Sequence, residues 1–161
     1  MCILLGVCAT ASAAAPGDRA LELTKTLAPV QDINFYTSEE VTRAVFADYI
    51  ARLMGVYSNE ENANIEFLVK AGIMGADISG GLRENEPLTY YDAIAALLNA
   101  AGYQDVAKIS GGYTNLAIKN KLVCGKSEND SLTWNELSVL IYNMLHMPAL
   151  IVKYGDKTSY V

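Results

Sequence analysis

Leu88-Thr89-Tyr90-Tyr91-Asp92-Ala93-Ile94-Ala95-Ala96-Leu97-Leu98-Asn99-Ala100-Ala101-Gly102 is the stretch that decides the fold, because it occurs three times in degenerate form. The earlier copy is Val41-Thr42-Arg43-Ala44-Val45-Phe46-Ala47-Asp48-Tyr49-Ile50-Ala51-Arg52-Leu53-Met54-Gly55. The later one is Leu132-Thr133-Trp134-Asn135-Glu136-Leu137-Ser138-Val139-Leu140-Ile141-Tyr142-Asn143-Met144-Leu145-His146. The three threonines stand 47 and 44 residues apart, a period that holds about two helices and their loops. In each copy an apolar residue precedes Thr, whose hydroxyl suits it to cap the unsatisfied N–H groups of a first helical turn. Asp92 and Glu136 follow three residues later, the spacing of a capping box. Copy one has Val45 in that place, so its helix starts either at Thr42 or at Thr37 with Glu40 as the acidic partner. Apolar residues then recur at helical spacing: Phe46, Ile50, Leu53 and Met54; Ala93, Leu97 and Ala101; Leu137, Ile141, Met144 and Leu145. Ile50, Leu97 and Ile141 each lie eight residues after their threonine and are expected to be buried together. Gly55 and Gly102 supply stops, and Pro148 closes the third helix.

Working outward, a shorter helix precedes each of the last two copies. Ile65 to Ala71 runs into Gly72-Ile73-Met74-Gly75, and Asn115 to Lys121 runs into Leu122-Val123-Cys124-Gly125. In copy one, Leu21 to Leu27 takes the equivalent place without a matching glycine. The unit is therefore a short helix, an apolar-Gly turn, a loop and a Thr-capped longer helix. The chain is expected to be all-α, with three helix-loop-helix repeats over about 20–55, 63–103 and 113–148. A solenoid of paired long helices fits poorly with the long loop between Gly75 and Thr89.

Residues 1–15 form an uncharged apolar run fading into Ala and Ser, with A-x-A sites at Ala11-Ser12-Ala13 and Ala13-Ala14-Ala15. This reads as the apolar and cleavage regions of a secretory signal peptide lacking its basic n-region. Val7 is too bulky for the lipoprotein alternative at Cys8. Beyond it no segment is long and apolar enough to span a membrane, so no membrane association is expected after cleavage. The chain carries 12 basic and 18 acidic residues for a net charge of −6, a poor match to nucleic acid. Cleavage would remove Cys2 and Cys8, leaving Cys124 without an intramolecular disulfide partner and better read as a small core residue than a reactive thiol. The tail, 149–161, turns to strand and turn chemistry. It reads as a lone apolar strand opening a further segment of a longer protein.

On these residues the chain resembles the S-layer homology family. Copy two supplies Ala71-Gly72-Ile73-Met74-Gly75, then Asp77, Gly80, Gly81 and Pro87 before Leu88-Thr89. Copy one supplies Val41-Thr42-Arg43-Ala44 with Phe46 and Ala47. The resemblance spans roughly residues 20 to 148. It implies a pseudo-threefold bundle, and a non-catalytic module that anchors a secreted protein at the bacterial cell surface by binding acidic secondary cell-wall polysaccharide between neighbouring units. The family's ligand-binding arginine carries over only to Arg43, since Tyr90 and Trp134 fill that slot in the other copies, and no copy keeps both the arginine and the acidic residue. The alternative is a degenerate structural or protein-interaction module that has lost the glycan.

Arg43 is read as an exposed first-turn cation, facing either a sugar carboxylate or Glu39 and Glu40, so that Arg43→Ala should spare the melting temperature. Tyr90 and Trp134 are either faces for a sugar ring or aromatics packing their helix starts against the preceding loop. Thr42, Thr89 and Thr133 are N-caps, with Asp92 and Glu136 as capping-box carboxylates. Asp77-Ile78-Ser79-Gly80-Gly81 with Glu84 lacks the alternating oxygen ligands of a calcium loop and reads as a turn. His146, the sole histidine, reads as a helix C-terminal charge or cap. No nucleophile motif, phosphate loop or zinc-spaced cluster stands out, so neither catalysis, metal nor cofactor is expected.

Overall fold

The computed structural model describes residues 16–27, 38–148, 150–153 and 157–160. The signal-like stretch 1–15 and the alternative helix start at Thr37 lie outside the described residues. The chain is helical: α1 (Pro16–Leu27), α2 (Arg43–Leu53), α3 (Ala63–Lys70), α4 (Tyr90–Ala100), α5 (Gln104–Ile109), α6 (Tyr113–Lys119) and α7 (Trp134–Leu145). The long helices α2, α4 and α7 each begin one residue after Thr42, Thr89 and Thr133.

Three short extended segments ahead of these helices meet at the centre. Val41 N–H donates to the Leu132 carbonyl at 2.8 Å, Leu132 N–H to Leu88 at 3.0 Å, and Leu88 N–H to Val41 at 2.7 Å. The three bonds form a closed cycle, and all three side chains are buried. A second layer lies just outside it. A helix leaves its first N–H groups without intrahelical acceptors, and here the next loop supplies them. Arg43 and Ala44 N–H donate to the carbonyls of Glu86 and Glu84, both at 3.0 Å. Tyr90 and Tyr91 N–H donate to Asp130 at 2.8 Å and Glu128 at 3.0 Å. The offsets relative to Thr89 and Thr133 are identical.

The helices pair around this centre: α2 against α3, α4 against α6, and α7 against α1. α2 and α4 thus pack on the shorter α3 and α6, whereas α7, the last helix, pairs with the equally long first helix, α1. Their apolar faces fill one core that includes Ile50, Leu97 and Ile141, none more than 2 % exposed. Burying a side chain of this size stabilises the fold by roughly 1.5–3 kcal/mol. Tyr49 of α2 also donates its hydroxyl to the Thr24 carbonyl of α1 at 2.9 Å, and burial pushes its phenol well above the usual range.

Three sequence expectations need correction. The short helix of the third copy spans Tyr113–Lys119, not 115–121, and is preceded by an unforeseen α5 whose one buried residue is Ala107. Val106, Ala107 and Ile109 are its only apolar residues, and six residues are too few for a helical period to be read. The left-handed residue that ends α3 is Gly72 (φ +70°), whereas Lys121 (φ +61°) does the same after α6, at a cost of about 1–2 kcal/mol for a residue with a Cβ. The apolar tail is not a lone strand: β1 (Leu150–Lys153) pairs antiparallel with β2 (Lys157–Tyr160). The Asp77 loop is a turn, closed where the Asp77 carboxylate accepts from Gly81 N–H at 2.6 Å and the Ser79 hydroxyl at 2.7 Å.

Candidate functional site

Arg43 is not an exposed cation. Only 1 % of it is accessible. Its position at the start of α2 aims it at the neighbouring unit, where Nη1 meets Asp92 Oδ2 at 2.5 Å, Nη2 donates to the Gly75 carbonyl at 2.5 Å and Nε to Leu82 at 3.1 Å. Three acceptors from one neighbour match a planar guanidinium, whose donors form a rigid fork. The expectation that Arg43 faces a sugar carboxylate, or Glu39 and Glu40, is therefore overturned: the guanidinium is enclosed and bonded within the protein.

Tyr90 and Trp134, in the same slot, are each 4 % exposed. The Tyr90 hydroxyl donates to the Leu122 carbonyl at 2.9 Å, again in the next unit's turn, and burial raises its phenol. Trp134 packs edge-on against Tyr49 with ring centroids 5.6 Å apart. Neither ring offers a free face for a sugar, because the slot points along the interface between units and not outward.

The cap residues sit where the helix starts require. The Thr42 hydroxyl accepts from Val45 N–H at 3.4 Å and that of Thr89 from Asp92 N–H at 3.1 Å. Glu136 reaches back to the Thr133 N–H at 2.8 Å and hydroxyl at 2.9 Å, and forms an ion pair with Lys126 at 2.9 Å. Burial works against ionisation of Glu136, but the Thr133 N–H and Lys126 outweigh it and hold the carboxyl below its usual range. Asp92 departs from the capping-box expectation: its carboxylate turns to Arg43, with Arg83 at 3.7 Å, because a buried guanidinium binds it more strongly than a backbone N–H.

What the surface does offer lies one residue away. Tyr91 follows Tyr90 on α4, and adjacent helical residues point about 100° apart, so burying Tyr90 turns Tyr91 outward at 41 % exposure. Its ring meets that of Tyr113, at the start of α6, nearly at right angles (82°, centroids 6.2 Å apart). Two adjoining clefts share this pair. One, of about 230 Å³, runs along the Gly72–Gly75 turn and is lined by Asp92, Asn99 and Gln104. The other, of about 320 Å³, is lined by Gly111, Gly112, Thr114, Asn115 and Glu128. Asn99 braces the corner: it accepts from the Tyr113 hydroxyl at 2.7 Å and donates to the carbonyls of Gly72 at 3.1 Å and Ile73 at 3.2 Å. None of these residues was singled out as functional from sequence. The adjacent tyrosines at a helix start were the available signal, since both cannot face the core.

The corresponding cleft between the first and second units, about 250 Å³, has Ala44 in the place of Tyr91 and is lined by Asp48, Glu60 and Glu61. There the Tyr57 ring is covered by the Arg52 guanidinium, 3.5 Å from its centroid. The Asn64 amide donates to Asp48 and to the Ser58 carbonyl, both at 2.8 Å. The exposed His146 ring stacks on Tyr142 with Nδ1 2.7 Å from the Tyr142 carbonyl. Cys124 is half-buried, and burial pushes its thiol up, away from the reactive thiolate. Among the described residues no group of three or more His, Cys, Asp or Glu converges as a metal site, and no helix is long and apolar enough to cross a membrane. Comparison with known proteins found no family model that matches the chain and no matching curated protein.

Proposed function

We propose that this chain is a non-catalytic module of the S-layer-homology type that holds a secreted protein to the bacterial cell wall through wall polysaccharide. The observation that carries the reading is the closed hydrogen-bond cycle of Val41, Leu88 and Leu132. It is the geometry a pseudo-threefold bundle of three equivalent units requires, and it creates clefts between neighbours where a glycan chain can lie. The buried Arg43 moves the expected contact away from the helix-start slot and onto those clefts.

A second reading has its own support. Arg43 pairs with Asp92 inside the protein, which suits a module that kept the architecture, lost the acidic ligand and serves a structural or protein-interaction role. A pull-down on purified sacculi, before and after extraction of their polysaccharide, separates the two. The anchoring reading expects retention that disappears on extraction. Absence of retention on intact sacculi refutes it and leaves the second.

A further inference from the structure

We infer that the loop Asp77–Gly81 docks a second copy of this chain: Ile78 of each copy enters the cleft beside the Gly72–Gly75 turn of the other, giving a weak twofold dimer. This goes beyond the wall-polysaccharide reading and does not depend on it, since the cleft beside Asp48 and Glu60 stays open.

The fold does not need this loop. Thr89 follows Gly75 by 14 residues, but in the third unit Thr133 follows the equivalent Gly125 by only 8. Both connections still supply helix-start acceptors at the same offsets, Glu84 and Glu86 in one, Glu128 and Asp130 in the other. The six extra residues, 76–81, are an addition to the unit, yet they are closely specified. Asp77 N–H donates to the Gly81 carbonyl and Gly80 N–H to the Asp77 carbonyl, both at 3.0 Å. The Asp77 carboxylate closes the turn through Oδ1. Gly80 takes φ +83°, and a Cβ on Gly81 would stand 2.6 Å from Asp77 Oδ2. The tip so held is Ile78, fully exposed and more so than any other large apolar side chain among the described residues. A side chain presented on a closed turn makes a good anchor, because little freedom is left to lose on binding.

The socket lies beside the knob. The cleft of about 230 Å³ has Ile73, Met74, Tyr91 and Ala95 in its wall. Asp92 lines it too and stands 3.7 Å from Arg83, just past the loop, so knob and socket share one face. That arrangement suits a twofold contact, in which the same patch serves both copies. The polar groups match as well. Asp77 keeps Oδ2 as an open acceptor. Among the described residues the Tyr91 hydroxyl and the Gln104 amide, both in the cleft, have no hydrogen-bond partner. Asp92 adds little repulsion there, being matched by Arg43. The net charge of −6 on each copy opposes approach, so the dimer should tighten as salt screens it. One loop and one cleft per copy make a small interface, which puts the dissociation constant on the order of 0.1–1 mM.

Sedimentation equilibrium of the full chain, at concentrations from about 0.01 to 2 mM, brackets that affinity. The expected result is an average mass that climbs towards the dimer, and climbs further at higher salt. Ile78→Asp should weaken association about tenfold or more, since it returns a charge to the apolar socket. Ala95→Leu, which fills the socket, should weaken it likewise. Ile109→Asp, which alters the next most exposed isoleucine, should leave it unchanged. Ile78 is fully exposed and Ala95 partly so, so these variants should melt with the wild type, and a matching melt excludes misfolding as the cause. A wild type that stays monomeric throughout overturns the inference. So does association that Ile78→Asp or Ala95→Leu leaves intact, that Ile109→Asp also abolishes, or that salt loosens.

Discussion

Replacing Arg43 with alanine should unfold this protein far more readily than its place in a first helical turn suggests. Removing an exposed arginine typically changes stability within about 0.5 kcal/mol. Arg43 is enclosed and joined to three acceptors of the neighbouring unit. Breaking a buried ion pair by removing one partner costs about 3–5 kcal/mol, because the other charge is stranded. Two features adjust that figure. Asp92 keeps 19 % side-chain exposure and has Arg83 within 3.7 Å, so water and a second cation soften its loss. Against this, the carbonyls of Gly75 and Leu82 lose their donor, at about 1–3 kcal/mol for each that stays buried and unpaired. A net loss of about 4 kcal/mol follows, a large share of the 5–15 kcal/mol typical of a domain. Urea unfolding followed by far-ultraviolet circular dichroism reads it directly. With a slope of about 2 kcal/mol per molar urea, the midpoint should fall by roughly 2 M. Arg43→Lys should fall in between, since a point charge cannot serve three acceptors. A double-mutant cycle with Asp92→Ala should return a coupling of about 0.5–3 kcal/mol. A midpoint for Arg43→Ala within experimental error of the wild type would refute the enclosed-hub account.

Two further outcomes follow from the helix starts. Thr89→Ala should cost about 1 kcal/mol in the same urea assay, because the Asp92 N–H loses its acceptor; an unchanged midpoint would count against capping. Glu136 has a depressed folded pKa, so its contribution is full above its ordinary value of 4.5 and is lost as pH falls through the lower folded value. Melting temperature should therefore drop below about pH 4.5, and Glu136→Gln should flatten that acid limb while lowering stability near neutrality.

The helix starts were legible in the sequence because their signal is local. Thr42, Thr89 and Thr133, followed by apolar residues at helical spacing, need no tertiary knowledge to place. The burial of Ile50, Leu97 and Ile141 was legible for the same reason, since equivalent positions in repeated helices meet. The fate of Arg43 was not. Its enclosure depends on Gly75, Leu82 and Asp92, which are 32, 39 and 49 residues away, and no periodicity reports a contact at that distance. The candidate site failed differently. Tyr90 was chosen because it shares a slot with Arg43, but that slot faces the neighbouring unit, so the accessible ring belongs to Tyr91. Tyr113 and Asn99 reach the same corner only after α4 and α6 pack.

The pairing of α7 with α1 has a consequence for how the molecule comes apart. In an open stack of repeats a terminal unit can peel away while its neighbours persist, because each touches only those beside it. Here α1 ends at Leu27 and α7 begins at Trp134, and their contact leaves no unit terminal. Lifting α1 would bare the apolar flank of α7 and withdraw the Thr24 acceptor from Tyr49, which sits in the opposite partner α2. A ribosome must therefore deliver α7 before α1 can dock, and unfolding of the finished chain should be a single cooperative event with no stable two-unit remnant.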